Sequence, residues 1–179
     1  MDLHAETWVT PPVLTTRRLS LRPMADASPH ELATAINHFD VAKWLTMVPH
    51  PYAVSDAEWF IAQNAAGAFR SWAVYENGVL VGCVAADKEL GYWYRPSAWG
   101  KGFATEAGQA VLGHVFGNPD VHEIASSHFV ENQGSKNVLE KLGFEDVGSH
   151  VHFSRARGTN VPGRSMQLTR PRWEERQDG

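Results

Sequence analysis

The stretch Glu89-Leu90-Gly91-Tyr92-Trp93-Tyr94-Arg95-Pro96-Ser97-Ala98-Trp99-Gly100-Lys101-Gly102-Phe103-Ala104-Thr105-Glu106-Ala107 decides the fold. Its first part, Leu90 to Tyr94, is rich in aromatic residues that suit a pleated, half-buried surface, and it reads as a strand. Pro96 and Ser97 end that strand, because proline has no N–H to give to a ladder. Trp99-Gly100-Lys101-Gly102 then makes a tight turn. From there Phe103, Ala107, Ala110, Val111, His114 and Val115 recur near the helical period. A glycine turn entering a helix leaves the first N–H groups without intrahelical partners, at the positive end of the helix dipole. It therefore predicts a site for a phosphate or pyrophosphate.

Two phosphate signatures do not fit. The P-loop requires Ser or Thr after its Gly-Lys, and Gly102 follows Lys101 here. The dinucleotide fingerprint finds its first two glycines in Gly100 and Gly102 but meets Thr105 where the third should stand, in mid-chain rather than in an early βαβ unit. The stretch resembles instead the acyl-CoA loop of the GNAT superfamily of N-acetyltransferases, Gln/Arg-x-x-Gly-x-Gly/Ala. Trp99-Gly100-Lys101-Gly102-Phe103-Ala104 matches it with Trp99 in place of Gln/Arg. That departure, with Glu89-Leu90-Gly91-Tyr92-Trp93 before it, is similar to the ribosomal-protein alanine N-acetyltransferases, the RimJ/RimL-like subfamily. A second stretch, Asn132-Gln133-Gly134-Ser135-Lys136-Asn137-Val138-Leu139-Glu140-Lys141-Leu142-Gly143-Phe144, is similar to the Asn-x-x-Ser-x-x-Val-Leu-Glu-Lys-Leu-Gly-Phe helix of the same family. The resemblance covers about residues 13–170.

Composition agrees with a single soluble globular domain. The chain has 179 residues, 43% hydrophobic and 20% charged, which is ordinary for a globular protein with a sizeable core. No apolar run is long enough to span a membrane, and Met1-Asp2-Leu3-His4-Ala5-Glu6 lacks the regions of a signal peptide. The one cysteine, Cys83, cannot form an internal disulfide, so a cytoplasmic location is expected. A formal charge of −4 gives no basic surface for nucleic acid or anionic lipid. A symmetric homodimer is the default for an enzyme of this size.

Residues 1–12 are expected to be an N-terminal arm, 13–170 an N-acetyltransferase domain and 171–179 a C-terminal tail with little to bury beyond Trp173. Leu14 to Arg22 reads as one strand, with Leu19 and Leu21 alternating with polar residues. Ser28-Pro29-His30-Glu31 and Ser55-Asp56-Ala57-Glu58 read as helix starts of the capping-box type. Trp72 to Tyr75 and Val79 to Val84 flank Asn77-Gly78, the strongest short hairpin signal. Further strands are expected over His122 to Val130, Phe144 to Phe153 and Ser165 to Leu168, with a helix from Asn132 to Leu142 capped by Gly143. Loop 155–164 lies between the last two strands. The order implies an α/β (α+β) GNAT fold: a mixed, mostly antiparallel twisted sheet of about seven strands with four helices, its splayed central strands forming the acetyl-CoA cleft.

The chemistry implied by the resemblance is direct transfer of an acetyl group from acetyl-CoA to an amine, without a metal. Backbone N–H groups at Gly100, Lys101, Gly102, Phe103, Ala104 and Thr105 would hold the pyrophosphate, beside Trp99. Glycine allows that close approach. The strand at Trp93, Tyr94 and Arg95 would pair with pantetheine and hold the developing oxyanion. Asn132 and Asn137, with Lys136, are expected on the cofactor. Ser135 is the candidate acid for the departing sulfur, with helix capping as its rival role. Glu89 is the candidate base, acting through water, with a plain surface carboxylate as its rival. Trp44, Tyr52 and Trp59, with loop 155–164, are expected around the acceptor groove. His128, His150 and His152 show no metal-ligand spacing, and Cys83 reads as a small core residue. Two other functions stay open on the sequence: a non-catalytic acyl-CoA-binding module, and a nucleotide-binding protein using the glycine turn.

Overall fold

Alternation of apolar and polar residues fixes which face each strand turns to which helix. In the computed structural model, which describes residues 10–87 and 89–178, eight strands form one sheet. They are β1 (Leu14–Thr15), β2 (Ser20–Pro23), β3 (Ser71–Glu76), β4 (Val79–Ala86), β5 (Glu89–Tyr94), β6 (Glu123–Phe129), β7 (Glu145–Ser154) and β8 (Thr159–Thr169). The sheet order is β1-β2-β3-β4-β5-β6-β8-β7, antiparallel everywhere except between β5 and β6. Six helices accompany it: α1 (Pro29–Ile36), α2 (Phe39–Ala42), α3 (Val54–Ala65), α4 (Phe103–Phe116), α5 (Gln133–Leu142) and α6 (Arg170–Gln177). This is the expected fold class, with one more strand and two more helices than the sequence suggested.

Two cores lie on the two faces. Leu90, Tyr94, Ile124, Met166 and Leu168 turn one way, onto Phe103, Ala107 and Val111 of α4 and Leu139 and Leu142 of α5. Ala73, Tyr75 and Cys83 turn the other way, onto Leu32 and Ile36 of α1 and Ala57 of α3. Burial of this kind contributes roughly 25 cal/mol per Å² of apolar surface. Cys83 is a core residue, as expected, and burial pushes its thiol up to about 12. Among the described residues, no helix is long and apolar enough to cross a membrane.

Local signals account for most boundaries. Ser28 accepts a hydrogen bond from the Glu31 backbone N–H at 3.4 Å, with Pro29 opening α1. Asn77 and Gly78 both have positive φ, which suits the strand twist of a tight hairpin. Gly143, at φ 99°, ends α5 in the left-handed region.

Three expectations need correction. The strand read from Leu14 to Arg22 is two strands, because Thr16 turns the chain: its N–H reaches the Leu19 carbonyl at 2.9 Å. The cap of α3 is not Ser55; the carboxylate of Asp56 reaches back to the Ala53 N–H at 2.8 Å. β8 starts at Thr159, not Ser165, so Pro162 and Gly163 lie inside a strand and the loop shrinks to 155–158. The C-terminal tail buries Trp173 alone, as expected, and does so within a helix: Trp173 stacks on Phe116 at 5.4 Å, and Arg170 and Arg172 donate to the carbonyls of Val121 and Gly143. The arm expected at 1–12 lies largely outside the described residues.

Candidate active site

The sheet opens where the parallel pair β5–β6, the only one among the described residues, fails. β5 and β6 are in register at Glu89↔Ala125 and Leu90↔Ser126 alone. The Ser126 hydroxyl closes the apex by donating to the Leu90 carbonyl at 2.7 Å. Beyond that point Gly91–Tyr94 keep β4 as partner and Ser127–Phe129 keep β8, but the two strands part. A β-strand with one free edge can receive an extended ligand as if it were an added strand.

Two helix N-termini face this opening. α5 starts after Asn132, whose side chain accepts from the Ser135 N–H at 3.1 Å. The Ser135 hydroxyl is therefore not spent on capping; that rival role belongs to Asn132. Ser135 Oγ instead lies 2.9 Å from the Tyr92 hydroxyl, which also donates to the Ser135 carbonyl at 3.2 Å. Burial pushes the Tyr92 phenol up to about 12, against the opposing hydrogen bond from Ser135, so it stays protonated at neutral pH. Tyr92 thus joins α5 to β5 and carries a proton next to Ser135. Nothing in the sequence pairs Tyr92 with Ser135, because strand register alone does not say where a side chain ends.

α4 begins at the glycine turn. Gly100 and Gly102 have φ of 73° and 78°, a conformation that side chains strain. A Cβ at Gly100 would meet nothing within 4 Å, and one at Gly102 only Arg18 Nη2 at 3.5 Å. The space over both glycines is open, so their role is to set the backbone and leave room beside it. No side chain caps α4, since its N-cap is Gly102. Trp99 donates its indole N–H to the Tyr94 carbonyl at 2.7 Å, fastening the turn to the end of β5. Where the family pattern has Gln or Arg, this chain therefore has a strand clamp.

Two cations flank the turn. Lys101 Nζ lies 5.6 Å from the Phe103 ring centre and 3.8 Å from the Glu76 carboxylate. Arg18, from the β1–β2 connection, lies 4.8 Å above the same ring and pairs through Nε with Glu106 at 2.7 Å. Burial raises the Glu106 carboxyl, but hydrogen bonds from Thr16 and Arg18 and the Arg18 charge together hold it below the usual range. Arg18 was missed by the sequence reading, since no motif ties it to a turn more than eighty residues away. Arg18→Ala is expected to weaken coenzyme A binding about fivefold at low salt, as one partly exposed charge contact suggests. Titration calorimetry at two ionic strengths checks this, with the difference shrinking at high salt.

The expected catalytic and groove residues lie as follows. Glu89 is exposed at the apex of the opening, on the strand face shared with Trp93, opposite the face that packs on α4 and α5. Arg95 leans its guanidinium toward the Leu80 carbonyl at 3.5 Å. Asn137 accepts from Gln133 on the exposed side of α5, and Lys136 pairs loosely with Glu140. Trp44 is half-buried under Lys43, Tyr52 is buried in the α1–α3 core, and Trp59 is exposed against Phe69. The β7–β8 hairpin tip reaches the segment after α2, with the Arg155 N–H donating to the Thr46 carbonyl at 3.0 Å and Ser154 Oγ to that of Leu45 at 3.2 Å. This contact ties the β7–β8 hairpin to the segment that follows α2.

Residues 18–145 match the acetyltransferase (GNAT) domain family. "Uncharacterized N-acetyltransferase YoaA" of Bacillus subtilis (strain 168) is 25% identical over 174 residues, covering 90% of this chain and 98% of that one. The structure of spermidine N-acetyltransferase from Vibrio cholerae in complex with CoA and spermine aligns with a TM-score of 0.71 at 20% identity, over 89% of this chain and 99% of that one. Mycobacterium smegmatis RimJ in complex with CoA-disulfide aligns with a TM-score of 0.69 at 22% identity, over 90% of this chain and 87% of that one. At such identities the structures show a shared fold; the family match goes further. Fold and family together define an acyltransferase. The chain belongs to the GNAT acetyltransferase family and is an N-acetyltransferase. That membership displaces the binding-module and nucleotide-binding alternatives.

Proposed function

We propose that this enzyme transfers an acetyl group directly from acetyl-CoA to a primary amine, either a protein N-terminus or a small-molecule amine, in the manner of the RimJ/RimL-like subfamily. The observation that carries this reading is the joint geometry of the opening: a strand with a free edge runs from Tyr92–Ser135 at one end to an uncapped glycine turn at the other. The coenzyme A in the spermidine acetyltransferase and RimJ structures supports the same co-substrate here.

In this reading the first-turn N–H groups of α4 and the open glycines hold the pyrophosphate, with Arg18 and Lys101 beside it. The β5 backbone from Trp93 to Arg95 pairs with pantetheine and receives the charge that develops on the carbonyl oxygen. As the C–N bond forms and the C–S bond breaks, Ser135 donates to the sulfur and Tyr92 supports Ser135. Glu89 draws the amine to the other face of the strand and takes its proton through water. A terminal α-amine, with a pKa near 8, is the easier acceptor; a lysine amine near 10.4 requires more help. The single buried cysteine suits a cytoplasmic enzyme.

Thiol release from acetyl-CoA across a panel of peptides, polyamines and buffer-only controls tests the reading. Wild type is expected to release thiol only when an amine is present, and Glu89→Gln to lose about tenfold, most at low pH. Tight coenzyme binding with no amine-dependent release would overturn it.

A further inference from the structure

The sheet face that carries Glu89 holds a polar cluster that the transfer scheme has not used. Register places it. His150 on β7 lies opposite Gly163 of β8, which lies opposite Phe129 of β6. Ser165 lies opposite Ser127, and Glu89 opposite Ala125. These residues alternate with Met166 and Leu168, which face α4 and α5, so they turn to the acceptor groove.

Within the cluster, His150 is held with care. Its Nδ1 is 3.1 Å from Ser165 Oγ. Its ring lies across Gly163, where a Cβ would fall 2.2 Å from Nε2; only glycine lets the imidazole lie inward over β8 toward the opening. The ring is half-buried and sits 4.1 Å from that of His152. On this face its neighbours are His152 of β7 and Ser165 of β8; the charges of His128, which lies opposite Arg164 on the other face of β6, and of Glu89 on β5 also act on it. The His128 ring is tied to the Phe129 carbonyl at 2.9 Å. Metal binding does not explain the cluster, since among the described residues no group of three His, Cys, Asp or Glu has a metal-binding arrangement.

We infer that His150 is the terminal proton acceptor for the attacking amine: with Nδ1–H donated to Ser165, Nε2, lying over Gly163 beside the Ser127–Phe129 edge of the opening, takes through a chain of waters along this face the proton that Glu89 draws from the amine nitrogen. The inference rests on the proposed transfer reaction. Its balance is simple. The nitrogen bonds to the acyl carbon, the C–S bond breaks, coenzyme A leaves as the thiol with the proton from Ser135, the proton of the amine ends on His150 before passing to solvent, and Ser135 takes one proton back from solvent, so that none is gained or lost over the cycle. Burial keeps the His150 imidazole below its ordinary value, and His152 and His128 push the same way while Glu89 opposes them. The ring is thus neutral, and able to accept, at pH 7.

The test is the pH profile of kcat/KM from pH 5 to 9 with the full chain, acetyl-CoA and whichever panel amine wild type acetylates. Wild type is expected to lose activity on an acid limb below pH 6.5. His150→Gln is expected to lose about thirtyfold at pH 7 and to lose that limb, with acetyl-CoA affinity unchanged by calorimetry. His152→Gln removes a repelling neighbour and moves the limb to higher pH. Ser165→Ala keeps the imidazole but frees its tautomer, for a loss of about fivefold with the limb retained. A His150→Gln enzyme that keeps both rate and limb overturns the proposal while the transfer reaction stands. Absence of amine-dependent thiol release in wild type and every variant alike overturns both.

Discussion

Ser135→Ala is expected to lower kcat for amine acetylation by about a hundredfold and to leave acetyl-CoA affinity within about twofold of wild type, the pattern of a group that acts on the departing sulfur rather than on binding. The reason lies in how the hydroxyl is left free. Asn132 takes the capping bond of α5, so Ser135 Oγ is turned to Tyr92 at 2.9 Å. A serine that merely capped its helix would cost about 1 kcal/mol of stability on truncation and leave kcat alone. Tyr92→Phe removes the proton next to Ser135 while keeping the ring, and an approximately tenfold loss of kcat is expected. Because the two hydroxyls act as one unit, the double variant should be little worse than Ser135→Ala by itself. Single-turnover thiol release, alongside thermal unfolding of each variant, separates these outcomes. Additive losses, or a Ser135→Ala enzyme of full activity and reduced stability, would return Ser135 to a structural role.

Much of this site was legible because its signals are local. Gly100 and Gly102 announce a turn, Phe103 to Val115 a helix, and Asn132 to Gly143 a second helix with both ends marked. What stayed hidden depends on contacts between distant segments. Arg18 reaches the turn only because Glu106 accepts from its backbone N–H at 2.9 Å and from its side chain. Tyr92 reaches Ser135 only because β5 and β6 part after Leu90. Breaker residues misled for a related reason. Pro162 lies within β8 because it needs no N–H there, and its carbonyl still accepts from Val130 at 3.0 Å. Gly163 looks like a loop residue but makes room for His150. α6 escaped periodicity because its attachment is mainly by arginines bonding to carbonyls, with Trp173 its one buried residue.

Gly82→Ala is expected to lower stability by about 3 kcal/mol, through overpacking at a place with no slack. For a chain of this length that corresponds to a fall in Tm of about 10 °C. A Cβ at Gly82 would stand 2.5 Å from the Trp93 carbonyl oxygen and 2.4 Å from Cδ1 of Tyr94. A flexible side chain end would swing aside, but here one neighbour is backbone and the other is a ring buried on all sides. Relief therefore requires β5 to move away from β4, and β5 between Gly91 and Tyr94 is the wall of the opening. The same substitution should consequently weaken acetyl-CoA binding as well as stability, although Gly82 does not border the ligand path. Gly91 supplies the internal control. It lies on β5 itself, yet a Cβ there would meet nothing within 4 Å, so Gly91→Ala is expected to hold or slightly raise Tm by reducing the freedom of the unfolded chain. Tyr94→Phe is a second control, since the buried Tyr94 hydroxyl has no hydrogen-bond partner and its removal should not destabilise the fold. Thermal unfolding of the three variants, with and without acetyl-CoA, decides the matter. If Gly82→Ala and Gly91→Ala unfold together, the contact between β4 and β5 is looser than the register implies, and the opening is not held by close packing at Gly82.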